Sequence, residues 1–482
     1  MSEPLQPGNV GLVKDRSASE ILHTALHEGV RATGLAAAEL GLPVEPAEFR
    51  KTYAEVLPHF EAARLSHHNR HLIANHIVAA LQNQIVWQEA GSKVPIAAAL
   101  EVQAEPLPVE MHSRGKAGVW QPRLHYGGKE WSGATLDVLG RLLVEREVIS
   151  AAAGEALVYV KNHMLDRGSL SLRGRRIAML GAGAEMAPTR HWLEAGADVL
   201  WLDAAEPPES LRTASGVSGR LFVPERPANL LSRPAEVLAT LKAWSNGEPL
   251  DLGLYAYAPG QAREMRLTGV MNALVDVMPR ELIRTVTLLV SPTTPTALTA
   301  EEVSAMQIRL RTRPVWQKLL AFSGVLSRAQ GCAQRGDVAV SSTVVDIQGA
   351  SYQAAQYVGK VLTAECWYRR SLEANPAREG FRVSANSAAV TRTRSLEHPV
   401  FAAAFIGTSA FAVETLEPEQ SRALNGLLAV HDWLHPDVPV PGKIRVHGGA
   451  HVLPYPLKSA LMVAAAIGFA RSPRLLAGLL KG

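Results

Sequence analysis

Six short apolar runs, each separated from the next by enough chain for a helix, dominate the middle of the sequence: 176–180, 198–202, 220–223, 251–256, 285–290 and 337–340. Runs of this length bounded by turn residues are strands buried on both faces, and parallel neighbours must be joined by crossovers of a dozen or more residues. The pattern predicts repeated βαβ units and an α/β fold with a doubly wound parallel sheet.

The flanks read differently. Segments 17–42, 46–64 and 68–90 carry apolar residues at three- and four-residue spacing, punctuated by Pro43 and by Gly91-Ser92, which predicts helices. Residues 106–131 break into Pro, Gly and aromatic residues and predict irregular or hairpin structure; 132–164 is again helical, ending before Asp166-Arg167-Gly168. Beyond 375 lie a small-residue stretch at 403–412, an amphipathic helix at 419–431 and a Pro/Gly-rich loop at 435–457. The expected organisation is a mainly helical N-terminal domain at 1–165, a sheet domain at 166–374 and a mainly helical C-terminal cap module at 375–482.

At 482 residues the chain exceeds one core, and 47% hydrophobic content excludes disorder. A net charge of +4 without a dense basic stripe argues against a nucleic-acid partner. Cys332 and Cys366 are too few for a disulfide framework and suit a reducing compartment. The polar N-terminus has no secretory pattern. The longest apolar run, 460–470, falls short of the roughly 17–25 residues that span a bilayer. Stretch 459–480 could at most lie on a membrane surface, and its Lys/Arg residues are few. The expectation is a soluble, cytoplasmic protein with no membrane span.

Residues 174–206 carry the most specific chemistry. A strand at 176–180 turns at Gly181-Ala182-Gly183, a helix is expected from about Met186 with Pro188 in its first turn, Gly196 ends it, and a second strand runs into Asp203. Small residues let a pyrophosphate approach the backbone, a helix start attracts negative charge, and an acid about twenty residues on accepts from the adenosine ribose. Asp203 would repel a 2′-phosphate, so NAD is expected in preference to NADP. Two residues depart from G-x-G-x-x-G: Met186 stands at the third glycine, and Glu185 sets a carboxylate near the phosphate position. After the fourth strand, Ala256-Tyr257-Ala258-Pro259-Gly260 is small and flexible, as a segment beneath an adenine ribose would be. S-adenosylmethionine is the competing ligand, since methyltransferases use a similar turn and acid.

Tyr352, Gln356 and Lys360 recur every four residues on a helix predicted over 351–368, so they share a face. A nearby ammonium lowers a phenol pKa, allowing it to protonate an alkoxide or enolate near neutrality. Ser291 and Thr293 follow the fifth strand, where open α/β sheets bind ligands. With the glycine turn and the small turn 256–260, these residues resemble the short-chain dehydrogenase/reductase superfamily over about 174–368. That resemblance implies a Rossmann-like sheet, a proton-transferring Tyr352 assisted by Lys360 and Ser291 (or Ser342), and a cofactor held by Gly181, Ala182, Gly183, Glu185, Met186, Asp203, Ala256, Tyr257, Ala258 and Thr293. The family's usual lysine lies four residues after the tyrosine, where this chain has Gln356; the step to Lys360 falls among the longer spacings of its enoyl reductases. Tyr357 with Lys360 is a second pairing.

Three histidine pairs stand four apart, His67/His71, His431/His435 and His447/His451, but none has the intervening Glu of a zinc hydrolase, and no metal site is expected. The His447-Gly448-Gly449-Ala450-His451 loop could touch a substrate or form a structural turn. The expected function is an NAD-dependent oxidoreductase passing hydride between nicotinamide and a mostly apolar carbonyl or enoyl small molecule. The alternatives are a methyltransferase and a non-catalytic nucleotide-binding or scaffold protein. A homo-oligomer is left open.

Overall fold

A computed structural model describes residues 8–13, 17–112, 121–166, 170–213, 218–373, 381–394, 399–437, 440 and 446–475. Parts of several expected features lie outside the described residues: 113–120 of the irregular segment, the helix stop at 167–168, loop positions 438–439 and 441–445, and the tail from 476.

The chain is mixed α/β around a seven-stranded, mostly parallel sheet. Its six parallel strands are β1 Arg176–Leu180, β2 Asp198–Leu202, β3 Arg220–Pro224, β4 Leu250–Leu254, β5 Ile283–Val290 and β6 Arg382–Ser387. They are ordered β6-β5-β4-β1-β2-β3. Val109–Met111 adds antiparallel to the outer edge of β3. The chain leaves β1 toward one edge and returns to the far side of β1 as β4, so the winding reverses between these two strands.

Both faces of the sheet are covered, which is why the strands read as near-continuous apolar runs. Ala178, Leu180, Leu200, Leu202, Leu252 and Leu254 share one core with helices Pro234–Ser245 and Arg263–Val277 and with the helical stretch 350–373. The N-terminal helices Ala18–Arg31, Pro46–Leu65 and Arg70–Gln82 pack into the same core. The alternate residues Ile177, Met179, Val199 and Trp201 face a second core with Leu136–Glu145, Ala151–Asp166 and Pro418–Leu434. This is the period-two alternation of strand side chains.

Strand assignment departs from expectation at three points. The segment 68–90 is helical only over Arg70–Gln82, and Ile85–Glu89 is a strand that pairs antiparallel with Asn9–Leu12 and Ser92–Pro95. Residues 337–340 do not join the sheet: Val338–Ser341 pairs antiparallel with Cys332–Arg335 in a separate hairpin. The sixth parallel strand is β6, which the sequence reading placed among the C-terminal helices. It is buried on both faces, and one of them carries Ser384 and Asn386 rather than apolar residues; Asp432 accepts from both Ser384 Oγ (2.5 Å) and Asn386 Nδ2 (3.0 Å). Polar strand residues of this kind are tolerated once hydrogen-bonded.

Helix 46–65 is tied to the stretch 350–373 through a buried charge cluster. Arg64, with no exposed surface, donates to Glu61 (2.7 Å) and to Glu365 (2.8 Å), and the Tyr357 hydroxyl donates to Glu61 at 2.6 Å. Among the described residues, no helix is long and apolar enough to cross a membrane.

Candidate functional site

The carboxyl ends of the strands carry the candidate residues, and β1 and β4 meet there. Tyr255 and Ala256 N–H both donate to Leu180 O at 2.8 Å. Gly181 adopts φ +88°, and a Cβ on it would lie 2.2 Å from Ala256 N. Glycine is required here by the approach of two backbones, whatever the ligand.

Ala182 is buried in the second core, whereas Gly183 is exposed. The expected helix from Met186 starts later. Residues 181–188 form turns fastened by Thr189 Oγ1 to Ala182 O at 2.7 Å, and the helix runs only Thr189–Glu194, with Pro188 at its N-cap position. The helix that follows the turn is therefore only six residues long and begins eight residues after Gly181, which removes the dipole expected there. Met186 is half-buried in this loop. Glu185 accepts the Arg394 backbone N–H at 3.0 Å, which engages the carboxylate.

Asp203 stands at the end of β2 as expected, and its Oδ2 accepts the Gly183 N–H at 2.9 Å. It also lines a cavity of about 230 Å³ at the β2–β3 edge. Glu110, Glu206 and Glu225 share the lining with Arg212 and Arg226, giving an acidic excess. This cavity is not legible in the sequence, because Glu110 arrives on the antiparallel edge strand, far away along the chain.

Tyr352, Ser291 and Thr293 come together at the end of β5. Burial raises the Tyr352 pKa, and hydrogen bonds with Ser291 and Thr293 only partly offset this; the nearby Tyr257 and Glu264 raise it further. Ser291 Oγ lies 2.8 Å from Thr293 Oγ1, which donates to Gln348 at 2.6 Å. Tyr257 meets Tyr352 edge-on with ring centroids 6.2 Å apart. The turn after β4 thus touches the glycine turn through Ala256 and Tyr352 through Tyr257, while Ala258 is half-buried beyond them.

Tyr352, Gln356 and Lys360 do all face β5: Gln356 Oε1 accepts Ser291 N–H at 3.0 Å, and Lys360 Nζ donates to Leu289 O at 2.7 Å. The expected lowering of the Tyr352 pKa does not occur. The Lys360 ammonium is directed at a strand carbonyl two residues short of Ser291, and burial itself lowers the lysine to about 8. Residues Ala354–Leu362 form a π-helix, a rarity often found near functional sites. Tyr357 is turned away to Glu61 and does not pair with Lys360. Ser342 donates its N–H to Gly331 O on the hairpin side of the cap.

The histidines are placed structurally. His71 meets Glu365 at 2.7 Å, and His431 meets Asp432 at 2.9 Å. His447 and His451 are buried, rings 4.8 Å apart, with His451 Nε2 2.9 Å from Thr296 Oγ1 and His447 Nε2 3.7 Å from Glu302. Their loop is a packed turn: a Cβ on Gly448 would lie 2.5 Å from Glu414 O. Thr299 caps the helix Ala300–Thr312, accepting Glu302 N–H at 3.2 Å. Among the described residues, no group of three or more His, Cys, Asp or Glu could hold a metal ion.

No protein-family model matches this chain, and neither does any curated protein.

Proposed function

We propose that this protein is an NAD-dependent oxidoreductase of the Rossmann-like class, acting on a mostly apolar carbonyl or enoyl substrate. The observation that carries the reading is the turn after β4, whose Ala256 backs the glycine turn while its Tyr257 packs on Tyr352. It joins a nucleotide half to a proton-transfer half at the point where the sheet's winding reverses, where open α/β sheets bind ligands. The strand order is that of dinucleotide-binding folds, β3-β2-β1-β4-β5-β6 read from one edge.

The residues fit an adenosine nucleotide. Exposed Gly183 offers backbone without a side chain, and Asp203 borders a cavity whose acidic excess favours ribose hydroxyls over a 2′-phosphate. NAD, when bound, supplies or accepts the hydride. Tyr352 gives or takes the proton at the substrate oxygen, while Ser291 and Thr293 orient its hydroxyl. Its raised pKa keeps the phenol protonated at neutral pH, so it serves most directly as the donor in the reducing direction. Lys360 holds the end of β5 rather than the proton.

Thermal unfolding with NAD, NADP and S-adenosylmethionine tests the reading, because a ligand at 100 times its Kd stabilises by about 2.7 kcal/mol. NAD should give the largest shift. Tyr352→Phe should then abolish most turnover in a panel of apolar carbonyl and enoyl compounds while leaving NADH affinity within about twofold; unchanged turnover removes Tyr352 from the chemistry. A second reading, S-adenosylmethionine binding, is favoured by one feature: the six-residue helix 189–194 and the Asp203-bound Gly183 N–H leave little to hold a pyrophosphate. A shift with that ligand alone selects it, and no shift with any of the three favours a non-catalytic scaffold.

A further inference from the structure

We propose that the helix Val315–Phe322 and the turn after it form a docking surface for an anionic lipid bilayer. The helix buries one face: Gln317 and Ala321 are buried, Trp316 packs on Phe411 with ring centroids 5.5 Å apart, and Gln317 donates to Ala410 O at 3.2 Å. The opposite face is apolar and open to solvent. Val315, Leu319 and Phe322 follow one another at four- and three-residue steps and are 69, 63 and 80% exposed, with Val325 beyond them at 57%. Four large apolar side chains this exposed on one short segment mark an interaction surface rather than scattered surface residues.

The charges carried by this segment of the chain are of one sign. Between Glu302 and Asp337 the sequence has no acidic residue and six basic ones: Arg309, Arg311, Arg313, Lys318, Arg328 and Arg335. Arg309 is committed to Glu147 and to loop carbonyls, and Arg335 reaches Glu39 O. Arg311, Arg313, Lys318 and Arg328 have no ion pair among the described residues; Arg311 reaches only Gln307, Arg313 the Tyr455 hydroxyl, and Arg328 the carbonyls of Ala321 and Phe322.

This combination selects the occupant. A second copy of the chain would bring the same unpaired cations together. A nucleic acid would meet the cations but leave Leu319 and Phe322 with nothing to bury against. An anionic bilayer satisfies both, with apolar side chains entering the headgroup boundary and basic ones meeting lipid charge. The surface lies on a segment packed against Ala410 and Phe411, and it stands independently of the nucleotide reading.

The test is co-sedimentation of the full chain with vesicles of phosphatidylcholine alone and of phosphatidylcholine carrying about one-third phosphatidylserine, with sedimentation velocity run in parallel without lipid. The partition coefficient should be at least about tenfold higher on the anionic vesicles. The double variant Leu319→Glu/Phe322→Glu should lose that binding, and Lys318→Glu/Arg328→Glu should reduce it to the phosphatidylcholine level. All of these positions are exposed, so melting temperatures should match the wild type; if the double variant melts early, Phe322→Ser alone decides. Equal binding to both vesicles, binding unaffected by the variants, or a wild-type dimer that Leu319→Glu/Phe322→Glu converts to monomer would overturn the proposal.

Discussion

Asp203 fastens the glycine turn from the neighbouring strand, its Oδ2 accepting Gly183 N–H and its Oδ1 accepting Ala205 N–H, each at 2.9 Å. The acid that would bind a ribose is therefore also a structural acceptor. Asp203→Asn keeps one acceptor oxygen and should change stability by less than about 0.5 kcal/mol, whereas Asp203→Ala loses both bonds and should cost about 1–2 kcal/mol. Titration calorimetry should show NAD affinity falling at least about tenfold in the alanine variant. Unchanged affinity there would leave Asp203 a purely structural role.

The two glycines of the turn should respond unequally to alanine. At Gly181 the left-handed φ and the Cβ position 2.2 Å from Ala256 N combine strain with a backbone collision. Gly181→Ala should destabilise by at least about 2–3 kcal/mol in denaturant unfolding. At Gly183 the nearest atom, on the Trp201 ring, is 3.1 Å away and φ is not left-handed. Gly183→Ala should cost less than about 1.5 kcal/mol while weakening binding of the nucleotide proposed to approach it.

The buried cluster at Arg64 sets an acid limit. Burial pushes the Glu365 carboxyl up, but the charge and hydrogen bonds of Arg64 outweigh it and hold the group below its ordinary 4.5. A carboxyl depressed in the folded state contributes stability above its unfolded pKa, and that stability is lost as pH falls through the folded value. Melting temperature should therefore drop below about pH 4.5. Arg64→Met should cost about 3–5 kcal/mol at pH 7, because Glu61 and Glu365 are left buried without their cation. Part of that loss should return on acidification, reversing the wild-type trend.

Lys360 gives the opposite limb. Burial alone lowers it from 10.5 to about 8. Between those values the unfolded chain holds the proton more tightly than the folded one, so the lysine's contribution to stability rises with pH from about 8 to 10.5. The gain is on the order of 3 kcal/mol. Urea unfolding of the wild type against Lys360→Met should show that the difference between them depends on pH across this window. A pH-independent difference would mean that the ammonium is solvated.

The parts of the fold with unbroken apolar runs were legible in sequence. β1 and β2 fall at the expected residues, because both are buried on two faces and bounded by turns. β6 was not legible, since Ser384 and Asn386 are made tolerable only by Asp432, which comes from a helix some fifty residues later. Residues 337–340 look the same in isolation whether they enter a sheet or a hairpin, and pairing with Cys332–Arg335 decides the matter. At the candidate site, the grouping of Tyr352 with Ser291 and Thr293 followed from the resemblance drawn over 174–368. The engagement of Lys360 with Leu289 O did not, because regular four-residue spacing cannot reveal a π-helix.

That π-helix, Ala354–Leu362, separates Tyr352 from Trp367, whose indole is anchored to Asp276 at 3.0 Å. An i→i+5 ladder accommodates more chain per turn than an α-helix does. Removing one residue from this stretch would favour an α-helical winding of about 100° per residue, a larger step than the π-helix takes, and the mismatch between the two would turn everything on its N-terminal side relative to the anchored end. Tyr352 would be carried off Ser291 without any change to the tyrosine itself. The orientation of the Tyr352 hydroxyl is thus encoded as a count of residues, and a single-codon deletion between 354 and 362 would change what that hydroxyl faces while leaving the tyrosine itself intact.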